Sequence, residues 1–274
     1  GFPIARLRRD YPNLICCSIS GFGEDGPFAK RKAYDLLIQA EAGLASITGT
    51  TEPSRVGVSV VDVSTGLNAY EAILEALIAR QRTGQGAELS VSMFDSIADW
   101  MTVPLLQHEA GKPPQRVGLT HPAIAPYGAF PTRDGAQILI GIQNDREWVV
   151  LAERVLGDAN LAADPSFATN RARVERRAET DRRVAAITRI MDADVLTQKL
   201  AAAEIAFAPI NTVAELARHP HLRMITVATA SGPVSYPAPA ELHASTSRHY
   251  GPVPSLGEHT AKVRAEFLAA AAAN

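Results

Sequence analysis

Apolar and polar positions along the chain alternate between short apolar runs and longer stretches of helical period. Residues 14–20 form an apolar, partly β-branched run stopped by Gly21-Phe22-Gly23-Glu24-Asp25-Gly26-Pro27, which predicts a buried strand feeding a loop at a ligand edge. From residue 34 to 47, Leu36, Leu37, Ala40 and Leu44 recur at helical spacing and Gly49 stops them, predicting a core helix. A stronger helix follows. Ser64 or Thr65 can cap it, Leu67, Ala72, Ile73, Ala76, Leu77 and Arg80 carry it, and Thr83-Gly84-Gln85-Gly86 ends it, which puts Asp62 just before its N-terminus. Residues 87–93 alternate as a strand, and Asp95 can cap a helix running through Gln107 in spite of Pro104. Alternation of this kind argues for an α/β layer structure.

The Pro- and Gly-rich passage 111–126 reads as an interdomain connection, with a second domain starting near His121. There the pattern predicts a strand at 137–142, a helix at 147–156 and a long charged helix over 170–191. The charges of that helix, Arg171, Arg173, Glu175, Arg176, Arg177, Glu179, Asp181, Arg182 and Arg183, read as a solvated face rather than a phosphate clamp. A helix at 194–203, a strand at 206–210 and a capped helix at 212–218 come next. The Pro-rich stretch 233–254 reads as an extended linker, and an Ala-rich helix over 258–273 closes the chain. The expected domains are residues 1–115, what remains of a large domain; 121–228, a small domain; and 229–274, a linker and helix returning to the large one. Gly1-Phe2-Pro3 leads into a basic helical stretch without an initiator methionine, so the chain reads as the later part of a longer one.

With 274 residues, 46% of them hydrophobic, the chain can bury a real core. Its 27 basic and 29 acidic side chains leave a net charge of −2, which points to neither nucleic acid nor a membrane surface and leaves small-molecule chemistry as the default. Cys16 and Cys17 are neighbours on a predicted strand, so they face opposite ways and are not expected to pair. There is no cleavable signal and no apolar stretch of about 18 residues that could span a bilayer, so a cytoplasmic location is expected. His219-Pro220-His221 lacks nearby cysteine or acidic ligands and reads as a turn, so no metal site is expected. A Gly-x-Ser-x-Gly elbow is also missing, which weakens a serine-hydrolase reading.

The segment Val58-Ser59-Val60-Val61-Asp62-Val63-Ser64-Thr65-Gly66 carries the strongest chemical signal. At a helix N-terminus, backbone N–H groups and the dipole favour negative charge, so a carboxylate can be held ionised and charge developing on a nearby oxygen can be stabilised. On residue chemistry alone, simple capping of the helix by Asp62 is the more economical reading.

Several segments, in order and spacing, resemble the family III CoA-transferases (the CaiB/BaiF family of formyl-CoA and carnitine CoA-transferases). They are Gly21-Phe22-Gly23-Glu24-Asp25-Gly26-Pro27-Phe28, Ala33-Tyr34-Asp35, the Asp62 segment, Arg82-Thr83-Gly84-Gln85-Gly86, Ser92-Met93-Phe94-Asp95, Ile124-Ala125-Pro126-Tyr127-Gly128-Ala129-Phe130, Gly141-Ile142-Gln143-Asn144 and Leu256-Gly257-Glu258-His259-Thr260. The resemblance covers nearly the whole chain. It implies a Rossmann-like large domain, here without the family's N-terminal segment, a smaller α/β domain and an interlocked homodimer. It also implies that Asp62 attacks an acyl-CoA thioester, becomes an aspartyl-CoA thioester and passes CoA to an acceptor carboxylate. CoA enters as a thioester substrate, and no tightly bound cofactor is implied.

By the same resemblance, Lys32, Tyr34, Asp35 and Gln39 lie near the active site and the CoA, and Gly141-Ile142-Gln143-Asn144-Asp145 corresponds to a loop covering the nucleophile. Formyl-CoA transferase has a run of glycines there where this chain has one. Three of these residues also have a structural alternative: a surface lysine for Lys32, a core residue for Tyr34, helix charge balance for Asp35. His121 and Tyr127 are further candidates near substrate, with a structural histidine the stronger reading of His121. Related α-methylacyl-CoA racemases use histidine where Tyr34 stands, which makes racemase the lesser reading, since a phenol of pKa about 10 exchanges protons poorly near neutrality. Around residues 116–128 the chain looks most like transferases of dicarboxylates such as itaconate, citramalate, mesaconate or succinate, and intramolecular transfer is compatible with it. A catalytically inactive CoA-binding fragment is the non-enzyme alternative.

Overall fold

A computed structural model describes residues 3–241 and 248–272. Its contacts divide the chain into two compact units, residues 1–209 and 210–274.

The first unit opens with α1 (Ile4–Asp10) and β1 (Cys16–Ser20), followed by α2 (Asp35–Glu41), α3 (Leu44–Ile47), α4 (Val60–Thr83), β2 (Glu88–Ser92), α5 (Met93–Trp100) and α6 (Thr102–Glu109). β1 and β2 pair in parallel, from Cys16 opposite Glu88 to Ser20 opposite Ser92. Parallel neighbours need a crossover, and α4 supplies it, packing on both strands and on α5. The lead-in to β2 lies so close to the lead-in to β1 that only glycine fits at position 86, where a Cβ would stand 1.9 Å from the Leu14 carbonyl oxygen. α4 ends where Gly84 turns left-handed at φ 68° and returns its N–H to Arg80.

The structure corrects several expectations here. The strand after residue 14 is only partly buried, and Ile19 is 57% exposed. The predicted core helix over 34–47 is two helices, because Gly43 at φ 82° breaks it. Its inward residues are Ile38 and Gln39, while Leu36 and Leu37 face out. α4 starts at Val60, so Asp62 lies inside its first turn rather than before it. Ser64 and Thr65 are not caps, for both hydroxyls donate back to the Val61 carbonyl. The cap of α5 is Ser92, whose hydroxyl oxygen accepts the Asp95 N–H at 3.0 Å, and Met101 separates α5 from α6. Ile38, Val61 and Ile97 form a small core joined by Phe22 and Phe94. Along another face of α4, Val63, Leu67, Tyr70, Leu74 and Ile78 recur at helical spacing and stay exposed.

The rest of the first unit is an antiparallel sheet backed by helices. β3 (Tyr127–Pro131), β4 (Gln137–Gly141) and β5 (Ala206–Pro209) pair in that order. β3 was not legible beforehand, because Pro126, Gly128 and Pro131 break its pattern. α7 (Asp145–Val150) runs into a π-type turn over Leu151–Val155, and α8 (Ala159–Ala163), α9 (Asn170–Glu175), α10 (Arg177–Thr188) and α11 (Ala193–Ala202) follow. Phe130, Ile138 and Ile140 point from the sheet at Trp148, Leu151, Val155, Phe167, Val184, Leu196 and Leu200, all buried.

The charged helix expected over 170–191 is broken at Arg176, and its charges are not all solvated. Arg173 is 0% exposed: its guanidinium donates to the carbonyls of Ala125 (2.6 Å) and Phe167 (2.8 Å) and to Asp145 Oδ1 (2.8 Å), and it stacks on Trp148. Burial draws its pKa down, against the opposing pull of Asp145. Arg177 also turns inward, donating to the carbonyls of His121 and Ile124 at 2.7 Å each. The chain around cis Ala125-Pro126 is therefore held from the helix side.

In the second unit, α12 (Val213–Leu216) is closed by a capping box between Thr212 and Glu215, and β6 (Met224–Thr229) forms a hairpin with β7 (Gly232–Pro237). The start of the expected linker, 233–237, is thus a paired strand, while residues 242–247 lie outside the described residues. The terminal helix α13 is Thr260–Ala272, and the expected end at Ala273 lies outside them too. Among the described residues no helix is long and apolar enough to cross a membrane, and no three His, Cys, Asp or Glu side chains cluster to hold a metal.

Two stability measurements follow from α9 and α10. Arg173→Met leaves two carbonyls without this donor and Asp145 with only the Asn170 N–H, and equilibrium denaturation is expected to show a loss of about 3 kcal/mol. Burial raises the pKa of the Asp181 carboxyl, whose Oδ1 has no partner, with Arg177 opposing the shift. The folded state therefore holds that proton more tightly than the unfolded one, and stability falls as pH rises from the ordinary aspartate range through the raised value. Asp181→Asn is expected to raise the melting temperature at pH 7 and to lose the advantage near pH 3.

Candidate active site

The N-terminus of α4 is where expected site residues meet. An isolated helix start leaves its first N–H groups without partners, and here those of Val60, Val61 and Asp62 each find one. Val60 N–H donates to the Val58 carbonyl (2.8 Å) and Val63 N–H to that of Ser59 (3.0 Å). Val61 N–H and Asp62 N–H both donate to Asp35 Oδ1, at 2.8 and 3.3 Å. Asp35 stands in the first turn of α2, one turn before Gln39, and its Oδ2 accepts the Gln39 amide N–H at 2.7 Å. The Gln39 carbonyl oxygen accepts Val56 N–H at 2.9 Å, so this fully buried side chain is engaged at both ends.

This changes the electrostatic expectation for Asp62. The backbone donors that were to stabilise a carboxylate or a developing oxyanion are spent on Asp35 and on the chain before the helix. The Asp62 side chain is exposed and, among the described residues, its carboxylate accepts no hydrogen bond. The capping alternative therefore fails for Asp62: the cap comes from Asp35 across the sequence. What results is a solvent-facing carboxylate on a rigid backbone.

Tyr34 precedes α2 and is 68% exposed, so it is no core residue. Lys32 is exposed beside Arg31, which is committed elsewhere, to Glu41 at 3.1 Å and over the rings of Phe22 and Phe28.

A second group gathers His121, Tyr127, Gly141, Gln143 and Asn144. The rings of His121 and Tyr127 stack at 5.3 Å, and His121 Nδ1 accepts Ala123 N–H. Gly141 lies against the Tyr127 ring, which a Cβ would meet at 3.4 Å. The loop after β4 is well anchored. Glu147 takes the Gln143 N–H (2.8 Å) and the Asn144 side-chain N–H (2.8 Å), Asn144 caps α7, and Asp145 takes Asn170 N–H (2.7 Å) and Arg173. Glu147 and Arg173 were missed as supports of this loop. The Asn144-x-x-Glu147 spacing was a usable signal for the first, whereas an arginine in a charged run gives none for the second.

Comparison with known proteins bears on the family of the chain. The succinate–glutarate CoA-transferase of Agrobacterium fabrum is 33% identical over 276 residues, covering 97% of this chain and 68% of that protein. The acetyl-CoA:oxalate CoA-transferase of Acetobacter aceti is 35% identical, covering 98% of this chain and 70% of that protein. Other curated relatives are spanned over only about three-fifths of their length, as with the 61% of the mouse succinyl-CoA:glutarate CoA-transferase. The crystal structure of a CAIB/BAIF family protein from Brucella suis superposes with a TM-score of 0.80 at 34% identity, covering 97% of this chain and 73% of that one. The model of CoA-transferase family III matches residues 1–260, and with the fold and these relatives in agreement the chain belongs to that family.

Proposed function

We propose that the protein moves CoA from an acyl-CoA to a carboxylic acid, with Asp62 as the covalent carrier. The observation that carries the reading is the Asp62 carboxylate itself, exposed and without hydrogen bonds on a helix start whose own donors are already satisfied. Such a carboxylate keeps its lone pairs available. It adds to the thioester carbonyl and expels CoA thiolate, which leaves a mixed anhydride. The thiolate then attacks the aspartyl carbonyl, releasing the donor acid and leaving aspartyl-CoA, and the acceptor carboxylate reverses both steps. Thioester energy is conserved throughout, provided water is kept from the anhydride.

The names of the Agrobacterium and Acetobacter relatives support dicarboxylate substrates, in keeping with the succinate, itaconate, citramalate or mesaconate class. Lys32 and Tyr34 are exposed and suited to meeting CoA, and the anchored loop Gly141-Ile142-Gln143-Asn144, with His121 and Tyr127 behind it, would shield the intermediate. A homodimer is part of the proposal, supported by the exposed apolar face of α4. Tyr34, unlike a histidine, disfavours racemase chemistry.

Intact and peptide mass spectrometry after mixing the full-length protein with succinyl-CoA or itaconyl-CoA tests the mechanism. The expected result is a CoA-sized adduct on the Asp62 peptide. Asp62→Asn should show no adduct and a loss of turnover on the order of a thousand-fold or more. A wild-type protein that forms no adduct with any of several acyl-CoA donors would remove Asp62 from the mechanism.

A further inference from the structure

Asp35 and Gln39 do something that proximity to CoA does not explain. Gln39 is 0% exposed and both ends of its amide are used, by Asp35 on one side and Val56 on the other. Asp35 spends one oxygen on Gln39 and the other on two N–H groups, one of them belonging to Asp62. An acid in the first helical turn, where Asp62 stands, is drawn to the N–H groups of that turn. At this helix start the N–H groups of Val60, Val61, Asp62 and Val63 are occupied before Asp62 can reach them.

We infer that Asp35 and Gln39 are positioning residues for Asp62: Gln39 fixes the Asp35 carboxylate, and Asp35 occupies the N–H groups of Val61 and Asp62 so that the Asp62 carboxylate projects outward without hydrogen bonds. The inference rests on the reading of Asp62 as nucleophile. It assigns Asp35 and Gln39 an effect on the rate of attack rather than on the binding of acyl-CoA.

The order of donors and acceptors supplies the test. Asp35→Asn sets an NH2 group against a donor, the NH2 of Gln39 or, once that amide turns over, the Val56 N–H, whereas Gln39→Glu sets a carboxylate against a carboxylate, so each breaks one bond of the chain. Asp35→Asn combined with Gln39→Glu reverses the link's direction and restores every bond. The amide oxygen at 35 accepts from Val61 and Asp62, its NH2 donates to the new carboxylate at 39, and that carboxylate's second oxygen accepts from Val56. The negative charge moves from 35 to 39.

In the full-length protein, each single variant is expected to lower kcat and the rate of adduct formation on Asp62 by about ten-fold or more, with KM for acyl-CoA changed by less than about two-fold. The double variant is expected to recover to within about three-fold of wild type, a coupling that only a direct link between the two sites produces.

Unchanged kcat in the single variants overturns the inference, as does a raised KM at constant kcat, which would mean contact with CoA. A double variant no better than either single also overturns it. Melting curves accompany the kinetics. Should a single variant unfold, the folded double variant decides: near-wild-type kcat supports the clamp, and kcat below a tenth of wild type rejects it. Wild-type protein without an Asp62 adduct sinks the nucleophile reading and the inference with it, whereas an adduct in wild type with no rescue in the double variant sinks the inference alone.

Discussion

The first turn of α4 must find hydrogen-bond acceptors outside itself, and most of the candidate site follows from how it does so. A helix of 24 residues carries a positive N-terminal end, and the carboxylate that bonds its first N–H groups is that of Asp35, 27 positions before Asp62. Bonding there joins α2 to α4 and seats Ile38 beside Val61 in the small core. It also settles the surroundings of Asp62. The Asp62 carboxylate is exposed and free of hydrogen bonds among the described residues, as the proposed attack on a thioester requires.

The antiparallel half of the first unit solves a comparable problem with an arginine. Segments 121–126 and 142–144 have no regular structure to satisfy their backbone, and they lie beside a large apolar core. Arg173 offers donors in several directions at once, which suits carbonyls on two separate loops and a carboxylate in the first turn of α7. Asn170 and Arg177 reinforce the same segments. The loop that follows β4 is consequently a fixed structure here. With one glycine in place of several, water exclusion would come from a rigid wall rather than a swinging flap.

The two halves differ in how far their cores are closed. Around Trp148 the apolar faces of sheet and helices meet and are buried, whereas β1 and β2 form a sheet of only two strands and α4 keeps a row of large apolar side chains in solvent. Parallel sheets are ordinarily covered on both faces. That contrast fits the proposed dimer.

Local chemistry was enough for much of the fold. The break at Thr83-Gly84-Gln85-Gly86, the strand that follows, the helix at 193–202 and the Thr212 cap were all readable, because turn residues and periodicity act over a few positions. The motif order also pointed to the family and to Asp62. Three things were decided only by the folded chain: the start of α4 at Val60, the capture of its N–H groups by Asp35, and the burial of Arg173 within a run of charges. Each depends on a partner distant in sequence, and a polar side chain reads alike in a string of residues whether its partner is water, a remote backbone carbonyl or the end of another helix.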